Sequence, residues 1–131
     1  HEITMAAAAG VSGVERVFHA VTSREATERG AAALADLTDL PFRQPEPGEL
    51  PVTEDALITT TIDVSEHVSA KLRALRAHPT QVSVWQDGAG GASYALSNGI
   101  AQPVVDAEYY VLAHGPAEGA ETDLFGGLGE R

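Results

Sequence analysis

The sequence predicts a mixed α/β fold, packed as layers of helix on sheet. Two observations lead there. Short β-branched runs (Val14 to Val21, Ala56 to Val64, Glu108 to Ala113) alternate with alanine-rich or amphipathic helical stretches, the pattern of helices laid on strands. In addition, 131 residues with 44% hydrophobic content suffice for one ordinary domain. Aromatics make up only 5%, so the core has to lean on Leu, Val, Ile and Ala and is expected to be shallow.

Glu2 to Ala9 reads as a helix, four alanines stopped by Gly10. Ser12-Gly13 turns the chain into a strand ending at Val21, with Val17, His19 and Val21 on one face. Thr22 or Ser23 can cap the next helix, which carries Glu25 in its first turn and runs to about Leu37, weakened by Gly30. Leu40 to Pro51 holds Pro41, Pro45, Pro47, Gly48 and Pro51 and must be a loop. Ala56 to Val64 follows as a strand, with Ile58, Ile62 and Val64 on the core face and Thr60 between them. Ser65 is the expected cap of a second amphipathic helix, striped by Val68, Leu72 and Leu75, with Lys71, Arg73 and Arg76 outward and Pro79 as its stop. Gln81 to Trp85 and Ser93 to Leu96 flank a glycine-rich turn and suggest a hairpin, though Gln81 to Val84 also suits a helix. Glu108 to Ala113 is a last strand, and Glu121 to Leu128 one short terminal helix.

The formal charge of −11 argues against nucleic acid, because phosphate binding needs Lys and Arg to displace counterions. It argues equally against an anionic membrane surface. The absence of cysteine excludes disulfides, thiolate metal sites and cysteine nucleophiles, and suits a cytoplasmic location. No run approaches the ~18 apolar residues that would span a bilayer.

Five histidines are present, but no two stand at i, i+3 or i, i+4 on one helix and no His-Glu-x-x-His run occurs, so no metal ligands are assigned. There is no Gly-x-Ser-x-Gly elbow and no phosphate-binding Gly-x-x-x-x-Gly-Lys loop. No catalytic residue is assigned either. Two segments stand apart. Ala74 to Gln81 sets His78 and Gln81 at a helix end, and Tyr94 to Pro103 sets Ser97, Asn98 and Gln102 after a short apolar strand. Each suits a pocket wall, and each also suits ordinary structure: a helix C-terminus, and a turn nucleated by Asn98-Gly99.

The stretches KLRALRAHPTQ (Lys71 to Gln81), YALSNGIAQP (Tyr94 to Pro103), EYYVLAHG (Glu108 to Gly115) and ETDLFGGL (Glu121 to Leu128) together resemble the N-acetylglucosaminyl-inositol deacetylases of mycothiol biosynthesis, in the LmbE-like (PIG-L-type) zinc hydrolase superfamily. HEITMAAA (His1 to Ala8) looks like the helix that follows that family's second metal motif. The resemblance implies a Rossmann-type metal-binding part followed by a smaller α/β part, of which this chain is the latter. Residues 1–13 would continue from the catalytic domain and residues 14–131 form the C-terminal unit. The family's Ala-His-Pro-Asp-Asp-Glu and His-Pro-Asp-His segments are absent here. Zinc is therefore expected in the parent enzyme and not on this chain, which is expected to be inactive alone and to need the missing N-terminal half as partner. By resemblance, Gln81 and Asn98, with His78 after them, contact the sugar-inositol substrate. Three alternatives stand beside this: a non-catalytic sugar- or protein-binding module, part of the related mycothiol conjugate amidase, and a small hydrolase built on His1, His78 and Asp residues.

Overall fold

The computed structural model describes residues 2–129; His1, named above in the hydrolase alternative, lies outside them. Three helices and six strands follow in the order α1 (Glu2–Gly10), β1 (Val17–Val21), α2 (Arg24–Ala35), β2 (Thr60–Asp63), α3 (Val68–Arg76), β3 (Val82–Gln86), β4 (Ala92–Leu96), β5 (Ala101–Pro103) and β6 (Ala107–His114). The strands form two antiparallel three-stranded sheets, β1-β6-β2 and β3-β4-β5. The α/β class therefore holds. The second sheet is a simple meander placed in sequence between β2 and β6, so β6 must return to fill the gap between β1 and β2. The register sets Val21 opposite Tyr109 and Thr60 opposite Tyr110. Phe18 and Tyr110 meet edge to face across that sheet, ring centroids 6.1 Å apart.

Ser23 starts α2 as expected. Its hydroxyl accepts from the Ala26 N–H at 3.0 Å and donates to the Asp55 carboxylate at 2.5 Å. Asp55 also accepts from the Glu25 N–H at 3.0 Å. These bonds, the Ser23 hydroxyl first, hold the Asp55 carboxyl below its ordinary range. They also explain one correction. The strand expected from Ala56 begins only at Thr60, because Asp55, anchored to the start of α2, leads into a single 3-10 turn over Asp55–Leu57. Thr60 is the buried residue of β2, while Ile62 within it and Ile58 and Val64 on either side stay half-buried.

Ser65 does not cap α3. Its N–H is taken by the Asp63 carboxylate at 2.9 Å, a 3-10 turn spans Ser65–His67, and α3 begins at Val68 without a side-chain cap. The stripe does what its spacing predicts: Leu72 is buried, with Val68 and Leu75 half-buried against β3. Lys71 is the exception to the outward set, since it is half-buried and turns toward β6. Gly30 also gains a reason. A Cβ there would lie 2.4 Å from the Pro103 Cβ, so the glycine lets β5 press against α2.

Glu121 to Leu128 is a series of turns and not a helix. Gly126 and Gly127 break it. A side chain on Gly126 would strike the Gly119 carbonyl, and Gly127 takes a positive φ of 74°. The tail is held instead by Arg16, whose guanidinium donates to the carbonyls of Pro116 (2.7 Å), Glu118 (2.7 Å), Leu124 (3.1 Å) and Gly126 (2.7 Å).

The core is thin, as the composition implied. Its buried apolar residues are Ala26, Leu34, Leu72, Ala95, Ile100, Ala101 and Ala120, joined by the polar Ser23, Thr27, Thr60 and Ser93. Helix α1 buries none of its residues.

Candidate functional site

Gln81, His78 and Asn98 lie toward the same end of the second sheet. His78 and Gln81 lie in the turn between α3 and β3, where the Gln81 N–H donates to the His78 carbonyl at 3.0 Å. The pairing of Val82 with Leu96 then sets the turn after β4, which holds Asn98, at the same end of the second sheet. All three side chains are exposed. Asn98 also shapes its own turn: Oδ1 accepts from the Ile100 N–H at 3.1 Å, and Gly99 takes a φ of 70°. Its amide N–H₂ carries no hydrogen bond among the described residues. This end of the sheet is therefore an open polar edge, rich in amide donors and acceptors.

A cavity of about 190 Å³ lies elsewhere, between the two sheets. Four side chains give it its chemistry. Lys71, from α3, donates to the Glu108 carboxylate at 2.7 Å and to the Val105 carbonyl at 3.2 Å. Tyr94, from β4, donates its hydroxyl to Gln102 Oε1 of β5 at 3.0 Å. Burial first, then the nearby Glu108 charge, pushes the Tyr94 phenol above its ordinary pKa. Tyr109, also on the wall, is raised chiefly by burial. Gln102 was visible in the sequence beside Ser97 and Asn98. Lys71, Glu108 and Tyr94 were not singled out as site residues. Helical spacing alone put Lys71 on the outer face, and no sequence signal shows that β6 passes within its reach.

Among the described residues no group of three His, Asp or Glu could hold a metal ion. His114 stands at one end of the β1–β6 pair, opposite Val17, and His19 at the middle of β1, opposite Val111, while His67 and His78 flank α3. The described residues thus do not fit a zinc site.

No protein-family model matches the chain. Curated proteins do. A 1D-myo-inositol 2-acetamido-2-deoxy-alpha-D-glucopyranoside deacetylase from Actinosynnema mirum is 78% identical over 129 residues, which is 98% of this chain and 46% of that protein. A second, deacetylase 1 of the same name from Saccharopolyspora erythraea, is 60% identical over 98% of this chain and 44% of its own length. A third, from Saccharomonospora viridis, is 54% identical, covering 98% and 46%. The chain is homologous to one part of these deacetylases. It spans a little under half the length of the relatives it matches. None of the described helices is long and apolar enough to cross a membrane.

Proposed function

We propose that this chain is one part of a cytoplasmic zinc-dependent hydrolase that removes the acetyl group from 1D-myo-inositol 2-acetamido-2-deoxy-α-D-glucopyranoside in mycothiol biosynthesis. The 78% identity over 98% of the chain is the observation that carries this reading. In it, the zinc is anchored by the remainder of the longer polypeptide, and this chain supplies substrate contacts from Gln81 and Asn98, with His78 beside them. Exposed amides suit that task, because a sugar hydroxyl both donates and accepts, and an ill-fitting ligand leaves such groups unpaired.

The distribution of apolar surface supports a missing covering. Helix α1 has no buried residue, and Ile3 is 85% and Phe125 76% exposed. Contiguous apolar surface marks docking faces, and Phe125 lines one groove with Val14, Phe18, Leu124 and Leu128. Here it suits the rest of a deacetylase.

The test uses the longer polypeptide, in which this chain is joined to the remaining part its relatives possess, and follows acetate release from the substrate. Gln81→Glu and Asn98→Asp remove the amide donors while keeping an acceptor, so the Asn98 turn bond to Ile100 survives. Each is expected to lower kcat/KM by about 10- to 100-fold. An unchanged kcat/KM in both variants removes these residues from the site, and acetate release by the 131-residue chain alone overturns the division of labour.

A further inference from the structure

The proline-rich loop between Leu40 and Pro51 is tied down more firmly than its composition requires. The Gln44 side-chain amide donates to the Leu34 carbonyl, in the last turn of α2, at 2.9 Å. The Arg43 backbone meets the turn after β4 on both sides of Ile100. Its N–H donates to the Gly99 carbonyl at 3.0 Å, and its carbonyl accepts from the Ala101 N–H at 2.8 Å. The Arg43 guanidinium then closes the loop on itself, gripping both Glu49 carboxylate oxygens at 2.9 and 2.6 Å. Glu49 also accepts from the Glu46 N–H at 2.8 Å. Gln44 precedes Pro45, whose ring favours the extended backbone that this pairing needs.

What this anchoring reaches is Asn98. Two bonds shape its turn from within: the Gly99 N–H donates to the Leu96 carbonyl at 2.9 Å, and Asn98 Oδ1 accepts from the Ile100 N–H at 3.1 Å. Neither fixes where the turn sits on the molecule. Ile100 and Ala101 are buried beneath it, which sets its depth, but apolar burial is non-directional and leaves its tilt open. The two backbone bonds from Arg43 supply direction, and among the described residues they are the hydrogen bonds that reach this turn from outside β4 and β5. An exposed side chain on such a turn stands where its backbone is held. A hydrogen bond from its amide weakens steeply with misalignment, so a small tilt is enough to lose a contact.

We propose that Arg43, Gln44 and Glu49 form a brace that positions Asn98 for the substrate. The proposal rests on the reading of Asn98 as a substrate contact and adds the part of the chain that holds it there. The three are positioning residues, acting through the backbone at Gly99 and Ala101.

The test uses the longer polypeptide, with amide exchange and acetate release measured on the same variants. Gln44→Leu removes the donor at nearly constant volume. Arg43→Leu opens the grip on Glu49 at a side chain that is half exposed, so the core is left alone. In each, exchange at the Arg43 and Ala101 amides is expected to rise about 10-fold, with β6 amides unchanged as the sign that the fold is intact. The fall in kcat/KM is expected to be about 3- to 10-fold, carried mostly by KM. In an Asn98→Asp background the same changes should cost less than about 2-fold more, because the group they position is already altered. Unchanged Ala101 exchange in both variants overturns the brace. A full second loss in the Asn98→Asp background also overturns it, by showing a general structural role. If Asn98→Asp lowers kcat/KM and neither loop variant does, the brace fails while the proposed function stands. If Asn98→Asp is itself without effect, the substrate reading of Asn98 fails first, and this proposal with it.

Discussion

Arg16 offers the sharpest test of how this chain holds itself together. Its guanidinium gathers four carbonyls from the tail, two of them partly buried (Leu124 and Gly126) and two exposed (Pro116 and Glu118). A hydrogen bond to a charged group contributes about 1.5–3 kcal/mol net when shielded, and much less in open solvent. The two shielded bonds alone set a ceiling of about 3–6 kcal/mol. Partial solvation brings the expected cost of Arg16→Met to about 2–3 kcal/mol. In a domain of this size that lowers Tm by roughly 6–12 °C. Arg16→Lys keeps the charge but cannot span four acceptors with one ammonium, so it should recover less than half of the loss. Thermal denaturation by circular dichroism gives the stability. Amide exchange gives the location, because the Gly126 and Leu128 N–H groups bond to Asp123 and Phe125 inside the clamped segment. Both should lose protection in Arg16→Met ahead of the amides in β6. A Tm within about 2 °C of the parent, or tail protection unchanged, refutes the clamp.

Two further predictions follow from local geometry. Gly30→Ala should gain about 1 kcal/mol of helix propensity but place a Cβ 2.4 Å from the rigid ring of Pro103, so overpacking of about 1–3 kcal/mol wins and the urea midpoint falls; a rise in midpoint would show that α2 can move away from β5 freely. Glu49 is held down to about 2 by the bidentate Arg43 guanidinium first and by the Glu46 N–H second. Its depressed value means that its contribution to stability is full above the ordinary 4.5 and is lost as pH falls toward 2. Glu49→Gln should therefore flatten the decline in urea midpoint across that window, and an unchanged slope would show that the Arg43–Glu49 pair adds nothing in solution.

Periodicity made most of the fold legible. The run of alanines before Gly10, the Ser23 cap, the Val68–Leu72–Leu75 stripe and the glycine turn between β3 and β4 are local signals, and each became the element it implied. The misreadings share a cause. Ser65 and Asp55 were each redirected by a side chain whose partner is set by the three-dimensional arrangement or by a competing local turn: Asp63 takes the Ser65 N–H, and Ser23, 32 residues away, takes Asp55. The terminal helix failed because Gly126 packs against the Gly119 carbonyl and Gly127 takes a positive φ, and Arg16, about 100 residues earlier, holds the turns that result. The site divides the same way. His78, Gln81 and Asn98 sit in turns, where local sequence shows polar groups gathering. Lys71 and Glu108 become a pair only when β6 returns between β1 and β2, which no spacing in the chain announces.

The same long-range bonds bear on what the chain is built to meet. Four of its seven buried apolar residues are alanines, while larger side chains such as Ile3, Val11 and Phe125 stand out in solvent. A chain optimised to be sealed by itself would place them the other way round, since burying one large apolar side chain is favourable by about 1.5–3 kcal/mol. Two of the exposed residues come together. Val14 and Phe125 line one groove with Phe18, Leu124 and Leu128, and Arg16 lies in the same groove with two of its four bonds to the backbone of that tail segment. The clamp thus spends its hydrogen bonds on holding an apolar ridge outward. Such an arrangement gains its stability when something apolar covers the ridge. Under the proposed function the remainder of a longer polypeptide would provide the cover, and Arg16→Met should then weaken association with that remainder more than it weakens the fold of the second sheet.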